Sequence, residues 1–225
     1  MNCDPLARVY RTLEYAAFGR KLEKHRCEFL NAARGAKRAL LLGDGDGRFL
    51  LEFAKCNHAI SIDSVEASPK MIAEAQARLL AANISNPGRI RFHHADARLG
   101  RWPYQGYDLV ATHFFLDCFS TADIERLIPS IRRACAPGAK WLVSEFQQPP
   151  NGWRRWHARC WLFVMYCFFR LTTGLETSRL AEYRIALTEA GFSLKCKKVR
   201  MAQLICSELW TLPGPDAEGP CGSGD

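Results

Sequence analysis

The chain has 225 residues, with 31 Lys plus Arg against 23 Asp plus Glu, a net charge of +8 and 48% hydrophobic residues. That length suits one α/β domain with a large core, and that balance excludes a disordered chain. The longest apolar run, Trp161 to Phe169, falls far short of the roughly 20 residues that span a bilayer. The first residues carry Asp4, Arg8, Arg11 and Glu14 in place of an apolar leader, so a soluble, cytoplasmic protein is expected.

A charge of +8 bears on partners rather than on fold: an anionic substrate, nucleic acid, or the surface of an acidic membrane. The ten cysteines are scattered and include no C-x-x-C, so most are expected to be small buried hydrophobes. No zinc spacing joins them to the six histidines, and no metal is expected.

In chain order, Asp4-Pro5 opens a helix through Leu6, Val9, Tyr10 and Leu13, broken at Gly19. A second helical pattern runs through Leu22, Phe29, Leu30 and Ala33 to Gly35. Ala39 to Leu42 is a short apolar run of the kind buried on both faces of a sheet, ending in Gly43-Asp44-Gly45-Asp46-Gly47. A helix through Phe49, Leu50, Phe53 and Ala54 follows, then a strand over 59–66 and a helix started by Ser68-Pro69. Further strands are expected at 89–93 and 107–112. A helix through Ile124, Leu127, Ile128 and Ile131 should be kinked or shortened by Pro129. Pro137-Gly138 should turn the chain into a strand over 139–146. After an aromatic stretch at 153–170, Leu180, Tyr183 and Leu187 mark a helix stopped by Gly191. A hairpin over 192–199 and 203–210 closes the fold, and a Gly/Pro/Ser-rich tail from Pro213 is expected to be disordered.

Strands alternating with helices predict a doubly wound, mostly parallel sheet, with ligands bound beyond the carboxyl ends of its strands. The glycine loop discriminates between nucleotides. A dinucleotide fingerprint needs G-x-G-x-x-G, but its third position falls on Arg48 when counted from Gly43 and on Leu50 from Gly45. The P-loop G-K-[ST] is absent, and Asp44 and Asp46 would repel a phosphate, so a ligand that is cationic at this point fits better. Asp63 and Glu66 both stand near the distance at which an acid meets ribose hydroxyls. Glu66 is favoured, because its strand ends there; Asp63 lies inside the strand.

These residues carry a resemblance. L-L-L-G-D-G-D-G-R-F-L (40–50), V-E-A-S-P-K-M-I (65–72), F-H-H-A-D-A (92–97) and Y-D-L-V-A-T-H-F-F-L-D (107–117) resemble the successive motifs of the class I S-adenosylmethionine-dependent methyltransferases, over roughly residues 35–210. The resemblance implies a Rossmann-like seven-stranded sheet whose last strand is antiparallel, with a helical lid at 1–35, a catalytic domain at 36–211 and a tail at 212–225. It implies S-adenosylmethionine as cofactor. Gly43, Asp44, Gly45 and Gly47 would lie against the adenosyl and methionine parts, and Glu66 would accept from both ribose hydroxyls. Ala67 and Met71 would pack near the adenine, Asp96 would accept from its amino group beside the Ala97 N–H, and Thr112, His113 and Phe114 would lie beside the methionine.

For the methyl acceptor, a [DNS]-P-P-[YFW] motif of some nucleic-acid N-methyltransferases has no counterpart after the fourth strand, where Thr112-His113-Phe114-Phe115 stands. The aromatic 153–170 segment suits a pocket cover over a small apolar or aromatic acceptor, with contact to a membrane surface as a further expectation. The pattern resembles the quinone-biosynthesis C-methyltransferases. His113, Asp117 and His157 are candidate bases, with His113 and Asp117 preferred. An RNA or protein methyltransferase, favoured by charge alone, is one alternative. A non-catalytic cofactor-binding relative is another; an NAD-dependent oxidoreductase is disfavoured by the glycine spacing.

Overall fold

The computed structural model describes residues 21–84, 86–147, 183–200 and 203–214. Five helices are described: α1 (Lys21–Arg26), α2 (Arg48–Cys56), α3 (Pro69–Ala81), α4 (Thr121–Ala134) and α5 (Tyr183–Glu189). The seven strands are β1 (Arg38–Leu42), β2 (Ser61–Glu66), β3 (Ile90–His94), β4 (Tyr107–His113), β5 (Cys135–Phe146), β6 (Ser193–Arg200) and β7 (Ile205–Thr211). They form one sheet in the order β3-β2-β1-β4-β5-β7-β6. β7 runs antiparallel to both its neighbours, while β1 to β5 pair in parallel.

Side-chain alternation along each strand divides the core into two layers. Leu40, Leu42, Val110, Trp141 and Val143 face Ile124, Leu127, Ile128 and Ile131 of α4 and Leu187 of α5. Ala39, Leu41, Ile62, Leu109 and Leu142 face Phe49, Leu50 and Phe53 of α2 and Leu79 of α3. Each such Leu, Ile or Phe contributes about 1.5–3 kcal/mol by leaving water. The order of strands reverses between β1 and β4, where Leu42 stands beside Thr112, so the crevice of this fold opens above those two residues.

Three local expectations are revised. α4 continues through Pro129, because its buried face holds the helix in place across the missing Glu125 carbonyl partner. Pro137-Gly138 does not precede β5 but lies inside it: the strand starts at Cys135, opposite Tyr107, and the register shifts before Leu109 meets Lys140. Gly138, at φ +74, donates its N–H to the Pro213 carbonyl there. The helix expected from Leu22 to Ala33 splits into α1 and a 3-10 turn at Leu30–Ala33. α1 is fastened to the sheet, since Ser144 and Ser207 both donate to the His25 carbonyl at 3.1 Å. Of the six described cysteines, Cys135 and Cys206 are buried and Cys56 and Cys196 are exposed, so burial is less general than expected. Residues 1–20, the 153–170 segment with His157, and the tail from 215 lie outside the described residues.

Candidate active site

The glycine loop links β1 to α2. Gly43, Gly45 and Gly47 all lie in the left-handed region, at φ +63, +64 and +77. Two of them are also required by close approach. A Cβ on Gly43 would stand 2.2 Å from Cδ2 of Phe115, and one on Gly47 would stand 2.6 Å from Cβ of Ala75 on α3. Gly45 differs: among the described residues, its two chain neighbours aside, no atom lies within 4 Å of its would-be Cβ, so that side of the loop is open.

The two loop aspartates have different tasks. Asp46 is buried and neutralised, by Arg48 Nε at 2.9 Å and Arg78 Nη2 at 2.9 Å, and its carbonyl accepts from Arg78 Nε at 2.8 Å. It is therefore not the ligand-facing acid that the sequence suggested for both. Asp44 accepts the Leu50 N–H at 3.0 Å, which secures the first turn of α2. Asp44 keeps partial contact with solvent, yet desolvation pushes its carboxyl up to about 7. Arg26, buried at the end of α1, opposes that rise and lies 5.4 Å from the Phe114 ring centroid.

At the end of β2, Glu66 reaches back to the loop. Its Oε2 accepts the Gly45 N–H at 3.2 Å and its Oε1 the Ser68 N–H at 3.0 Å. Burial raises its proton affinity, against the pull of those N–H groups. Ser68 caps α3 by accepting the Met71 N–H at 3.2 Å; Met71 is buried and Ala67 is exposed. Asp63 is settled by its surroundings. Wholly buried, it accepts from Tyr107 Oη at 3.0 Å, meets His93 Nε2 at 2.9 Å and pairs with Arg91 Nε at 3.2 Å. It is a core acid turned away from the glycine loop's partner, Glu66.

Asp96 follows β3 and caps the turn Ala97–Leu99, accepting the Arg98 N–H at 2.9 Å. The Arg98 guanidinium also binds it, 2.6 Å from Nη2 to Oδ2, and holds the carboxyl below its usual range. Ala97 is nearly buried, and His94 Nε2 lies 3.1 Å from the Ala67 carbonyl across the same corner. The ends of β2 and β3 thus bring Glu66, Ala67, Asp96 and Ala97 to one edge of the crevice.

At the end of β4, Thr112 is wholly buried and accepts from Trp141 Nε1 at 3.0 Å, which commits its hydroxyl to the core. His113 points to the opposite layer, edge-on to Phe49 at 4.3 Å between centroids. Among the described residues neither of its ring nitrogens has a hydrogen-bond partner. Burial, helped by Arg26, lowers its pKa to about 3, so the ring is neutral at physiological pH. Asp117 is buried in the turn after β4, and burial raises its proton affinity. Behind it stands Glu145 of β5, 1% exposed, whose proton affinity is raised by burial and by Asp117.

Arg26 and Glu145 did not stand out in the sequence. Arg26 closes the basic last turn Lys24-His25-Arg26 of α1. Glu145 did leave a signal: a single acid inside the apolar run Trp141 to Phe146.

A family model described as a methyltransferase domain matches residues 39–138. The chain is similar to the demethylmenaquinone methyltransferase of Thermus thermophilus, 29% identical over 137 residues that cover 60% of each chain. It is also similar to the ubiquinone/menaquinone biosynthesis C-methyltransferase UbiE of Azotobacter vinelandii, 27% identical over 54% of this chain and 47% of that one. The matched stretch therefore spans about half of each of those relatives. In fold it resembles the N-methyltransferase NodS of Bradyrhizobium japonicum, solved with S-adenosylhomocysteine, at a TM-score of 0.63 and 13% identity, over 87% of this chain and 88% of that one. The sheet order is that of a Rossmann-like fold, and residues 39–138 within it match a methyltransferase domain. In these features the chain is similar to the class I S-adenosylmethionine-dependent methyltransferases, and the cofactor of that class is S-adenosylmethionine.

Proposed function

We propose that the protein transfers a methyl group from S-adenosylmethionine to a small, apolar or aromatic acceptor of the quinone-precursor type. The observation that carries the reading is Glu66, a carboxylate oriented by the Gly45 and Ser68 N–H groups at the end of β2, beside the open side of Gly45. A vicinal diol donating to that carboxylate suits its two oxygens. The class of acceptor is taken from what the two quinone-pathway relatives are named for.

The bound cofactor supplies an electrophilic methyl group on a sulfonium. The residues of the chain have the tasks of holding, orienting and drying the site, and proximity of this kind is worth about 7–11 kcal/mol. We assign Gly43, Asp44, Gly45 and Gly47 to the methionine and ribose side, Ala67, Met71, Asp96 and Ala97 to the adenine, and the Thr112 backbone with His113 to the methionine end. Asp96 can serve there only if Arg98 shares it. An acceptor that loses a proton needs a base whose affinity is matched to the working pH. His113 holds protons too weakly for that task, so Asp117, raised by burial, is the better candidate. Residues 1–35 are assigned to a cover over the cofactor, with α1 as its fixed base, the 153–170 segment to a cover over the acceptor, and 212–225 to a tail outside the domain.

The RNA or protein alternative rests on charge. In the 195–200 cluster, Lys197 pairs with Glu208, and Lys198 and Arg200 with Glu28, so three of its cations are already engaged. No helix among the described residues is long and apolar enough to cross a membrane. The test is calorimetry with S-adenosylhomocysteine and NADH, followed by mass spectrometry of methyl transfer to hydrophobic phenols and demethylated quinols, beside RNA binding across a salt series. Tight NADH binding with none to S-adenosylhomocysteine rejects the cofactor reading. Steep salt-dependent RNA binding with no methylated phenol or quinol rejects the acceptor.

A further inference from the structure

We propose that Glu145 is a positioning residue for the cofactor site, acting through the side chain of Phe115 on the glycine loop. The inference rests on the S-adenosylmethionine reading above. Glu145 is the only acid in the run Trp141 to Phe146 and is 1% exposed. Its Oε1 accepts two successive backbone N–H groups, from Phe115 at 3.1 Å and from Leu116 at 2.8 Å. A carboxyl that gathers consecutive N–H groups of one turn fixes the dihedral angles of that turn. The turn it fixes is a demanding one. Phe114 lies at φ +54, in the left-handed region that a β-carbon disfavours, with its own N–H on the Ser144 carbonyl at 2.7 Å.

What the turn delivers is Phe115. Its ring lies so close on the α-carbon of Gly43 that a Cβ there would stand 2.2 Å from Cδ2. Phe119 supports the ring edge-on at 4.8 Å. Gly43 is the first residue of the loop, held by its N–H to the Val65 carbonyl at 3.0 Å, and two residues on Gly45 donates to Glu66. The path therefore runs from Glu145 through the Phe115 N–H and ring to Gly43, and on to Glu66, with contact at every step. The other oxygen of Glu145 has no hydrogen-bond partner among the described residues, and its charged neighbour is Asp117. A residue that merely closed the end of β5 would affect stability alone. A residue that seats Phe115 on Gly43 must also affect cofactor affinity, and the cofactor must in turn steady the Phe115 turn.

The experiment measures S-adenosylhomocysteine affinity by calorimetry, at a temperature where each protein is folded, for wild type, Glu145→Gln, Glu145→Ala, Phe115→Ala and the Glu145→Ala/Phe115→Ala double variant. Glu145→Ala and Phe115→Ala should each weaken binding by about 10-fold or more, and the double variant by little more than the weaker single. Glu145→Gln keeps an oxygen that accepts the two N–H groups and should stay within about 3-fold of wild type. Hydrogen exchange on the wild type gives an arm that needs no variant: the cofactor product should slow exchange at the Phe115 and Leu116 amides. Glu145→Ala with a lower melting temperature but wild-type affinity overturns the proposal, as do effects that multiply in the double variant or exchange at 115–116 that ignores the ligand. Wild type that binds no S-adenosylhomocysteine rejects the cofactor reading itself, and this proposal with it.

Discussion

Gly45 and Glu66 are joined by a 3.2 Å hydrogen bond that crosses from the glycine loop to the end of β2. The bond makes the acid a structural tie, and the ligand role proposed for it separates from that tie by substitution. Glu66→Gln keeps an oxygen for one backbone donor but loses the charge. Each charged hydrogen bond to a ribose hydroxyl is worth about 1.5–3 kcal/mol, so Glu66→Gln should weaken S-adenosylhomocysteine binding by about tenfold and Glu66→Ala by more. Calorimetry reads both. Wild-type affinity in Glu66→Ala removes the ribose role.

Asp63 supplies the contrast. It stands three residues earlier on the same strand, but its carboxyl is enclosed by Tyr107, His93 and Arg91. Removing one member of a buried charged group costs about 3–5 kcal/mol. Asp63→Ala should therefore lower the melting temperature by roughly 2–4 °C for each kcal/mol lost, while the folded protein keeps its cofactor affinity. A loss of affinity with unchanged melting would reverse the assignments of Asp63 and Glu66.

The glycine loop should respond unequally to alanine. At Gly43 a methyl group meets the Phe115 ring as well as an unfavourable φ, whereas at Gly45 it meets the φ cost alone, about 1–2 kcal/mol for a non-glycine residue. Gly43→Ala should lower the melting temperature well beyond Gly45→Ala. Gly45→Ala should chiefly weaken cofactor binding, because its methyl projects into the open approach. Equal melting temperatures would show that the Phe115 ring moves aside at little cost.

The sheet was legible because its signals are local. Short apolar runs, glycine punctuation and the Ser68-Pro69 start all act within a few residues, and the strands fell within a few residues of their expected ends. Pro129 did not shorten the helix, because the one missing hydrogen bond was outweighed by the burial of Ile124, Leu127, Ile128 and Ile131 along the same helix. The position of Glu66 was legible because β2 ends at it and its backbone partners, Gly45 and Ser68, lie in the two motifs it joins. It was not legible where partners lie far apart in sequence: Arg78 on Asp46 across 32 residues, and Glu145 on the Phe115 turn across 30. Arg98 on Asp96 was close in sequence but was hidden by the reading of that acid as free for a ligand.

Two of the titrating groups near the glycine loop, Asp44 and His113, should tilt the stability of the ligand-free protein in opposite senses. Asp44 holds its proton more tightly folded than unfolded, with a value raised from 3.8 to about 7 by burial. The folded state then binds more protons than the unfolded one between those values, so this group favours folding fully below about pH 4 and loses that contribution as pH rises to about 7. His113 does the reverse. Its value falls from 6.5 to about 3, so the unfolded chain binds more protons in that window, and the contribution of the neutral ring is complete above pH 6.5 and is lost as pH falls. Asp44→Asn retains an oxygen for the Leu50 N–H and removes the first slope. His113→Phe keeps a ring against Phe49, removes two buried nitrogens that have no partner among the described residues, and abolishes the second. Melting curves from pH 4 to 8 should show Asp44→Asn gaining stability over wild type toward pH 8, and His113→Phe gaining it toward pH 4. The gain for His113→Phe at pH 8 should be smaller and should come only from relieving the unpaired nitrogens, about 1–3 kcal/mol before any cost of fitting the larger ring. Parallel curves for all three proteins would mean that neither group changes its proton affinity on folding.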